Sequence, residues 1–211
     1  ARTLELVAGL SDAQLMGPKL PTVNPLRWEV GHVAYFYEFF ILRQLYGEPS
    51  LLGNDAADAL YDSIAVHHDT RWDLPLLTLD ETLGYMRGVH DRLAERLDCE
   101  IASEQDSFFY QFGVFHEDMH DEAFVWARQT LAYPTPQLKS DGRYKPCNVD
   151  SGPLPGDAHM PGGTFPLGSP LDSPFVFDNE KWAHDVTLAP FQLARAPVTN
   201  QQFAAFVESG S

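Results

Sequence analysis

Cysteine is nearly absent from this chain: Cys99 and Cys147 are the only two in 211 residues, and they form no C-x-x-C pair. That argues against a disulfide-built scaffold and a structural zinc site, and it fits a reducing cytoplasm. Positive charge is also scarce. The chain carries 14 Lys and Arg against 30 Asp and Glu, a formal net charge of -16. A surface this acidic repels phosphate backbones and anionic lipid, so neither nucleic acid nor a membrane surface is an expected partner. No apolar run approaches the roughly 20 residues of a membrane-spanning helix. No charged-then-apolar leader opens the chain, and internal repeats and low-complexity tracts are missing. The expectation is a soluble, cytoplasmic protein. What is present is a globular composition, 44% apolar and 12% aromatic, long enough for one sizeable core and part of a second.

Residues 1 to about 16 place Leu4, Val7, Leu10 and Leu15 at helical spacing, broken near Gly9. Ser11 can cap a short second piece before Gly17-Pro18 ends it. Asn24-Pro25 then suits the start of a long helix running to Tyr46, with Gly47 as its stop. Its interior, from Trp28 to Phe36, is apolar nearly all round and so is expected to be buried. Residues 48–77 read as a polar, loop-rich stretch containing Tyr61-Asp62-Ser63 and His67-His68-Asp69-Thr70-Arg71-Trp72. Such loops between helices either carry substrate contacts or are simply solvated. Thr78 with Glu81 forms a capping-box signal for a third helix, in which His90 falls on the solvated face. A fourth helix covers about Ser107 to Leu131. These four principal helices predict an antiparallel bundle over residues 1–133.

From Tyr133 the pattern changes. Pro and Gly punctuate residues 134–151, which read as a linker. Residues 160–169 and 182–188 read as short strands, and a helix opens at Thr199 or Asn200. Residues 152–211 would make a thin core alone, so this second domain is expected to be incomplete. The fold class is therefore multi-domain, α followed by α+β.

The fourth helix holds the chemistry. His116 and His120 stand four residues apart, so both imidazoles project from one helix face. That spacing suits a divalent ion, although two histidines also share a face by chance. His32, buried between Trp28 and Phe36, is by itself an ordinary core histidine; joined to the other two it completes a three-histidine site. His116-Glu117-Asp118-Met119-His120 also satisfies H-E-x-x-H, the zinc-protease pattern with Glu117 as base. Against that reading, the Gly and third His of the longer metzincin pattern do not follow His120. Three imidazoles without a carboxylate suit Zn(II) or Fe(II) alike. Glu122 lies roughly 200° round the helix from His120. It is therefore expected as a hydrogen-bond partner, for example to the free ring nitrogen of His32, or as an interhelical carboxylate unconnected to the metal.

The combination of Asn24-Pro25-Leu26-Arg27-Trp28-Glu29-Val30-Gly31-His32 with His116-x3-His120-x-Glu122 resembles the ergothioneine-synthase family. Those enzymes join a DinB-like four-helix bundle to a formylglycine-generating-enzyme/sulfatase-modifying-factor-like (C-type-lectin-like) domain. Pro161-Gly162-Gly163-Thr164-Phe165, Phe177-Asp178-Asn179-Glu180 and Pro197-Val198-Thr199-Asn200 with Phe203 resemble the opening of that second domain. The likeness implies that His32, His116 and His120 are the ligands of a non-heme Fe(II). It further implies small-molecule substrates: hercynine, dioxygen and a chalcogen donor joined to imidazole carbon 2 of hercynine. The loop motif around Arg71 and the 177–184 stretch look most like the selenoneine-synthase branch, whose donor is a selenosugar. Met119 supports that branch, because ergothioneine-forming members often carry Gln there. Arg71 and Met119 are thus substrate-binding candidates. The catalytic proton donor is implied to lie later in the second domain, beyond residue 211. Two alternatives stay open: a sulfoxide synthase using cysteine or γ-glutamylcysteine, and a DinB-like metal-dependent thiol transferase that consumes no oxygen.

Overall fold

The computed structural model describes residues 2–99, 103–139 and 154–210. The chain divides into two compact units, Ala1–Asp141 and Gly142–Ser211.

The first unit is helical: α1 Arg2–Val7, α2 Asp12–Met16, α3 Leu26–Tyr37, α4 Asn54–Tyr61, α5 Leu79–Cys99 and α6 Glu104–Thr130. Three long helices thus pack with shorter ones. The expected first helix is two short pieces, because Gly9 takes a left-handed φ of 76° between them. Two start signals act as read: Ser11 caps α2 with Gln14, and the Thr78 hydroxyl and Glu81 exchange bonds ahead of α5. Helix α6 starts before the expected Ser107, at Glu104, where Ser103 and Asp106 form a capping box that the sequence reading did not use. Asn24 does not cap α3; Pro25 stands at that position, and Asn24 Oδ1 instead accepts a bond from Arg71.

After Tyr37 the helix does not stay α. Glu38–Leu45 is a π-helical segment, in which the Tyr46 amide reaches Ile41 O, five residues back. Its extra residue per turn coincides with a fully buried carboxylate. Glu38 is 0% exposed and accepts bonds from the Leu51 amide at 2.7 Å and the Tyr85 hydroxyl at 2.8 Å. Gly47, at φ 70°, ends the segment, with the Glu48 amide turning back to Leu42 O.

Helix α3 lies at the centre and is buried on almost every side, as its apolar sequence predicts. It packs against α2, α4, α5 and α6. Two close approaches depend on glycine. A Cβ at Gly31 would stand 2.2 Å from the Tyr61 ring, and one at Gly113 of α6 would stand 2.4 Å from the Tyr37 ring. Glu117 also locks α6 in place. Its two carboxylate oxygens accept from Thr3 of α1 at 2.7 Å and from Tyr37 at 3.0 Å. Where a linker was expected from residue 134, Arg128 donates to Pro134 O and to Leu6 O, so the chain beyond α6 is still tied to this unit. Most of the remaining expected linker lies outside the described residues.

The second unit has two antiparallel pairs. Strand β1 (Asp157–Met160) pairs with β4 (Phe191–Ala194), and β2 (Gly163–Leu167) pairs with β3 (His184–Leu188). Helix α7 (Asn200–Glu208) comes after them, capped by Thr199 with Gln202. Among the described residues of this unit, Val176 is the hydrophobic side chain that reaches full burial. Phe165, Leu193, Phe203 and Phe206 remain exposed.

Candidate metal centre

Helix α3 contributes His32 and helix α6 contributes His116 and His120 to one point. One ring nitrogen from each lies within 4.8 Å of the others. The Nε2 atoms of His116 and His120 are 3.2 Å apart. Two nitrogens each about 2.1 Å from a shared ion, roughly at right angles, have about that separation. The donor set therefore fits a divalent cation.

Each ring is held differently. His32 Nδ1 donates to Tyr61 O at 2.8 Å, and His120 Nδ1 donates to Glu29 Oε1 at 2.7 Å. With Nδ1–H committed in this way, the lone pair of a neutral imidazole lies on Nε2. His116 is positioned by packing, its ring stacked 3.5 Å from that of Phe36, while its buried Nδ1 has no partner. Burial, reinforced by the neighbouring imidazoles, pushes the His116 pKa down to about 2. Burial first, then His120, lowers His32 to about 4 despite the opposing bond to Tyr61. Both rings are thus neutral at physiological pH, the form in which an imidazole can take a metal.

The segment expected as a loop anchors this centre. Helix α4 ends at Tyr61, where its last carbonyls have no partner within the helix. Leu60 O accepts from Trp28 Nε1 at 2.7 Å, and the next carbonyl, Tyr61 O, accepts from His32. Trp28 and His32 stack at 4.8 Å, and the Arg71 guanidinium covers the other partner of that stack, 3.7 Å from the Trp28 ring. Asp58 fixes α4 against α3 by accepting from Tyr35 at 2.8 Å and Arg43 at 2.6 Å.

Residues 1–123 match the DinB superfamily, and residues 146–211 match the sulfatase-modifying factor enzyme 1-like domain. The chain belongs to the DinB superfamily. Over 221 residues it is 31% identical to the hercynine oxygenase of Mycolicibacterium smegmatis, covering 99% of this chain and 48% of that protein. Against the hercynine oxygenase of Mycobacterium tuberculosis it is 32% identical over 212 residues, 100% of this chain and 48% of that one. It is also similar to the formylglycine-generating enzyme of Streptomyces coelicolor, at 39% identity over 54 residues, 26% of this chain and 17% of that enzyme. The chain spans about half the length of the hercynine oxygenases it matches. The domain pair expected from the sequence is therefore the pair found.

Within the DinB unit, the expected contact between Glu122 and His32 is not made. Glu122 is exposed, and His32 uses its Nδ1 on the Tyr61 carbonyl. The carboxylate at the centre is Glu29, a residue that sequence reasoning missed. Its signal was available: a charged residue one turn before His32, inside an otherwise apolar run. Arg71 is buried, giving one bond to Asn24 Oδ1 and one to Val66 O, with its Nε unpaired. Met119 is 55% exposed. Glu117, the protease-pattern base, is engaged by Thr3 and Tyr37.

The depressed histidine pKa values make the metal-free DinB unit acid-sensitive. Unfolded, each ring would take up a proton near pH 6.5; folded, His32 and His116 refuse it down to about 4 and about 2. Below pH 6.5 the unfolded state binds more protons, so stability falls as pH falls. The loss is up to roughly 1.4 kcal/mol per pH unit for each ring. Chemical denaturation of chelator-treated protein at pH 7.5 and pH 5 measures it; equal stability at both would contradict the burial of these rings.

Proposed function

We propose that this chain is the metal-bearing part of a dioxygen-dependent oxidoreductase acting on hercynine, with His32, His116 and His120 as ligands of Fe(II). The observation that carries the reading is the convergence of three imidazoles in a DinB unit whose whole chain aligns with hercynine oxygenases. Bound there, Fe(II) would supply redox chemistry toward dioxygen and open coordination positions for substrate. The chain's own residues do the orienting. Tyr61 O and Glu29 hold two of the rings, and Phe36 covers a face of the third. Arg71 and Met119 are the substrate-contact candidates, Arg71 stacked on Trp28 beside His32 and Met119 in an exposed position one residue before His120.

The reaction is formation of a carbon–chalcogen bond at imidazole carbon 2 of hercynine. A selenosugar donor is favoured by Met119, where sulfur-using relatives of the ergothioneine-synthase family often carry Gln. Cysteine or γ-glutamylcysteine is the competing donor. The full-length protein, loaded with Fe(II), is to be incubated with hercynine and each donor separately, following oxygen uptake and product mass. Products from the selenosugar support the selenium reading, and consumption of thiols alone replaces it with a sulfoxide synthase. Turnover without hercynine-dependent oxygen uptake points instead to a DinB-like thiol transferase and removes the oxygenase reading.

A further inference from the structure

We propose that Glu29 is the positioning residue of the metal centre, a buried carboxylate on α3 that sets the tautomer, orientation and donor strength of His120 on α6. The inference rests on the metal reading above and goes beyond the three ligands.

Glu29 is 2% exposed, an expensive place for a carboxylate without a strong partner. Its Oε1 lies 2.7 Å from His120 Nδ1, inside the range of charge-assisted bonds. One turn further along α3 stands His32, so a single helix both supplies one imidazole and steers another that comes from the facing helix. The three rings are not equivalent in this respect. His32 leans on a neutral backbone carbonyl, and His116 Nδ1 leans on nothing. Glu29 is therefore the carboxylate bonded to the imidazole cluster. Three neutral imidazoles around a divalent ion would leave a buried charge of two; Glu29 offsets one of them. A carboxylate on Nδ1 also raises the basicity of Nε2 and strengthens its bond to a cation. Burial lowers the Arg71 pKa, and its Coulomb attraction to Glu29 opposes that shift. A carboxylate kept only to tie α3 to α6 needs no imidazole partner, and Glu117 already makes such a tie through Tyr37.

The test compares wild type, Glu29→Gln, Glu29→Ala and His116→Ala in the full-length protein, by titrating Co(II) and recording its visible absorption bands, with thermal melting of each metal-free form alongside. Glu29→Gln keeps the size and an acceptor oxygen but removes the charge. It is expected to weaken Co(II) binding roughly 10–100-fold and to shift the absorption bands, with melting little changed. A merely structural Glu29 would lower the melting temperature and leave affinity and bands alone. That outcome, or a Glu29→Gln protein that binds within twofold of wild type while His116→Ala binds nothing, overturns the inference and leaves the metal centre standing. If wild type and His116→Ala fail alike to bind Co(II), the metal reading falls and takes this inference with it. Should Glu29→Ala not fold, Glu29→Gln alone decides.

Discussion

His116→Ala is expected to strip the metal from the purified protein while the helical unit stays folded. His116 makes no hydrogen bond that holds the fold: its Nδ1 is buried and unpartnered, and its contact on the other side is with His120. A buried polar group left without a partner costs about 1–3 kcal/mol. Removing this ring therefore relieves a penalty that partly offsets the lost stacking on Phe36. The metal has no such compensation. Losing a supporting partner of a ligand costs roughly 10–100-fold in affinity, and losing the ligand itself costs more. Elemental analysis of wild type and variant, with melting curves in chelator, separates the two effects. Unchanged metal content in the variant would remove His116 from the site.

Gly31→Ala should be the most damaging single methyl group in the first unit. The added Cβ would lie 2.2 Å from the Tyr61 ring, and Tyr61 is fully buried. Overpacking of this kind costs roughly 1–3 kcal/mol, a fall of about 5–10 °C in melting temperature for a unit of this size. The effect should not stop at stability. Tyr61 O holds His32 Nδ1, so a displaced Tyr61 releases one imidazole, and metal affinity should fall with the melting temperature. Gly84→Ala on α5 is the control, because nothing lies within 4 Å of its added carbon. Alanine there should be neutral or stabilising by up to about 1 kcal/mol. If the two variants melt alike, the close approach at Gly31 is not real.

Local signals in the sequence were legible because local chemistry decides them. Ser11, Thr78 and Thr199 announce helix starts through side chains that bond within three residues. The histidine pair on α6 comes from helical spacing alone, and the burial of α3 comes from its uniform apolarity. What escaped depends on distant partners. Glu38, buried in the π-helical segment, is bonded to Leu51 and Tyr85, residues 13 and 47 positions away. Helix α4 is short, and only Ala57 and Tyr61 of its eight residues are fully buried, too weak an apolar pattern to stand out from a loop. Strands β1 and β4 are defined by pairing across more than thirty residues of chain. Glu29 stayed hidden for the same reason: its meaning comes from His120, 91 residues later.

The anchoring of Trp28 and His32 on two successive carbonyls gives α4 the properties of a ruler. Each residue added to a helix rotates the downstream chain by about 100° and advances it by about 1.5 Å. An insertion between Gly53 and Leu60 would carry the Leu60 and Tyr61 carbonyls away from the indole and imidazole that they receive. Most connections between helices absorb added length at small entropic cost. This one cannot, because its last turn measures out the position of a ring in the candidate metal centre. Exchanges on its outer surface should be tolerated where a change in its length is not.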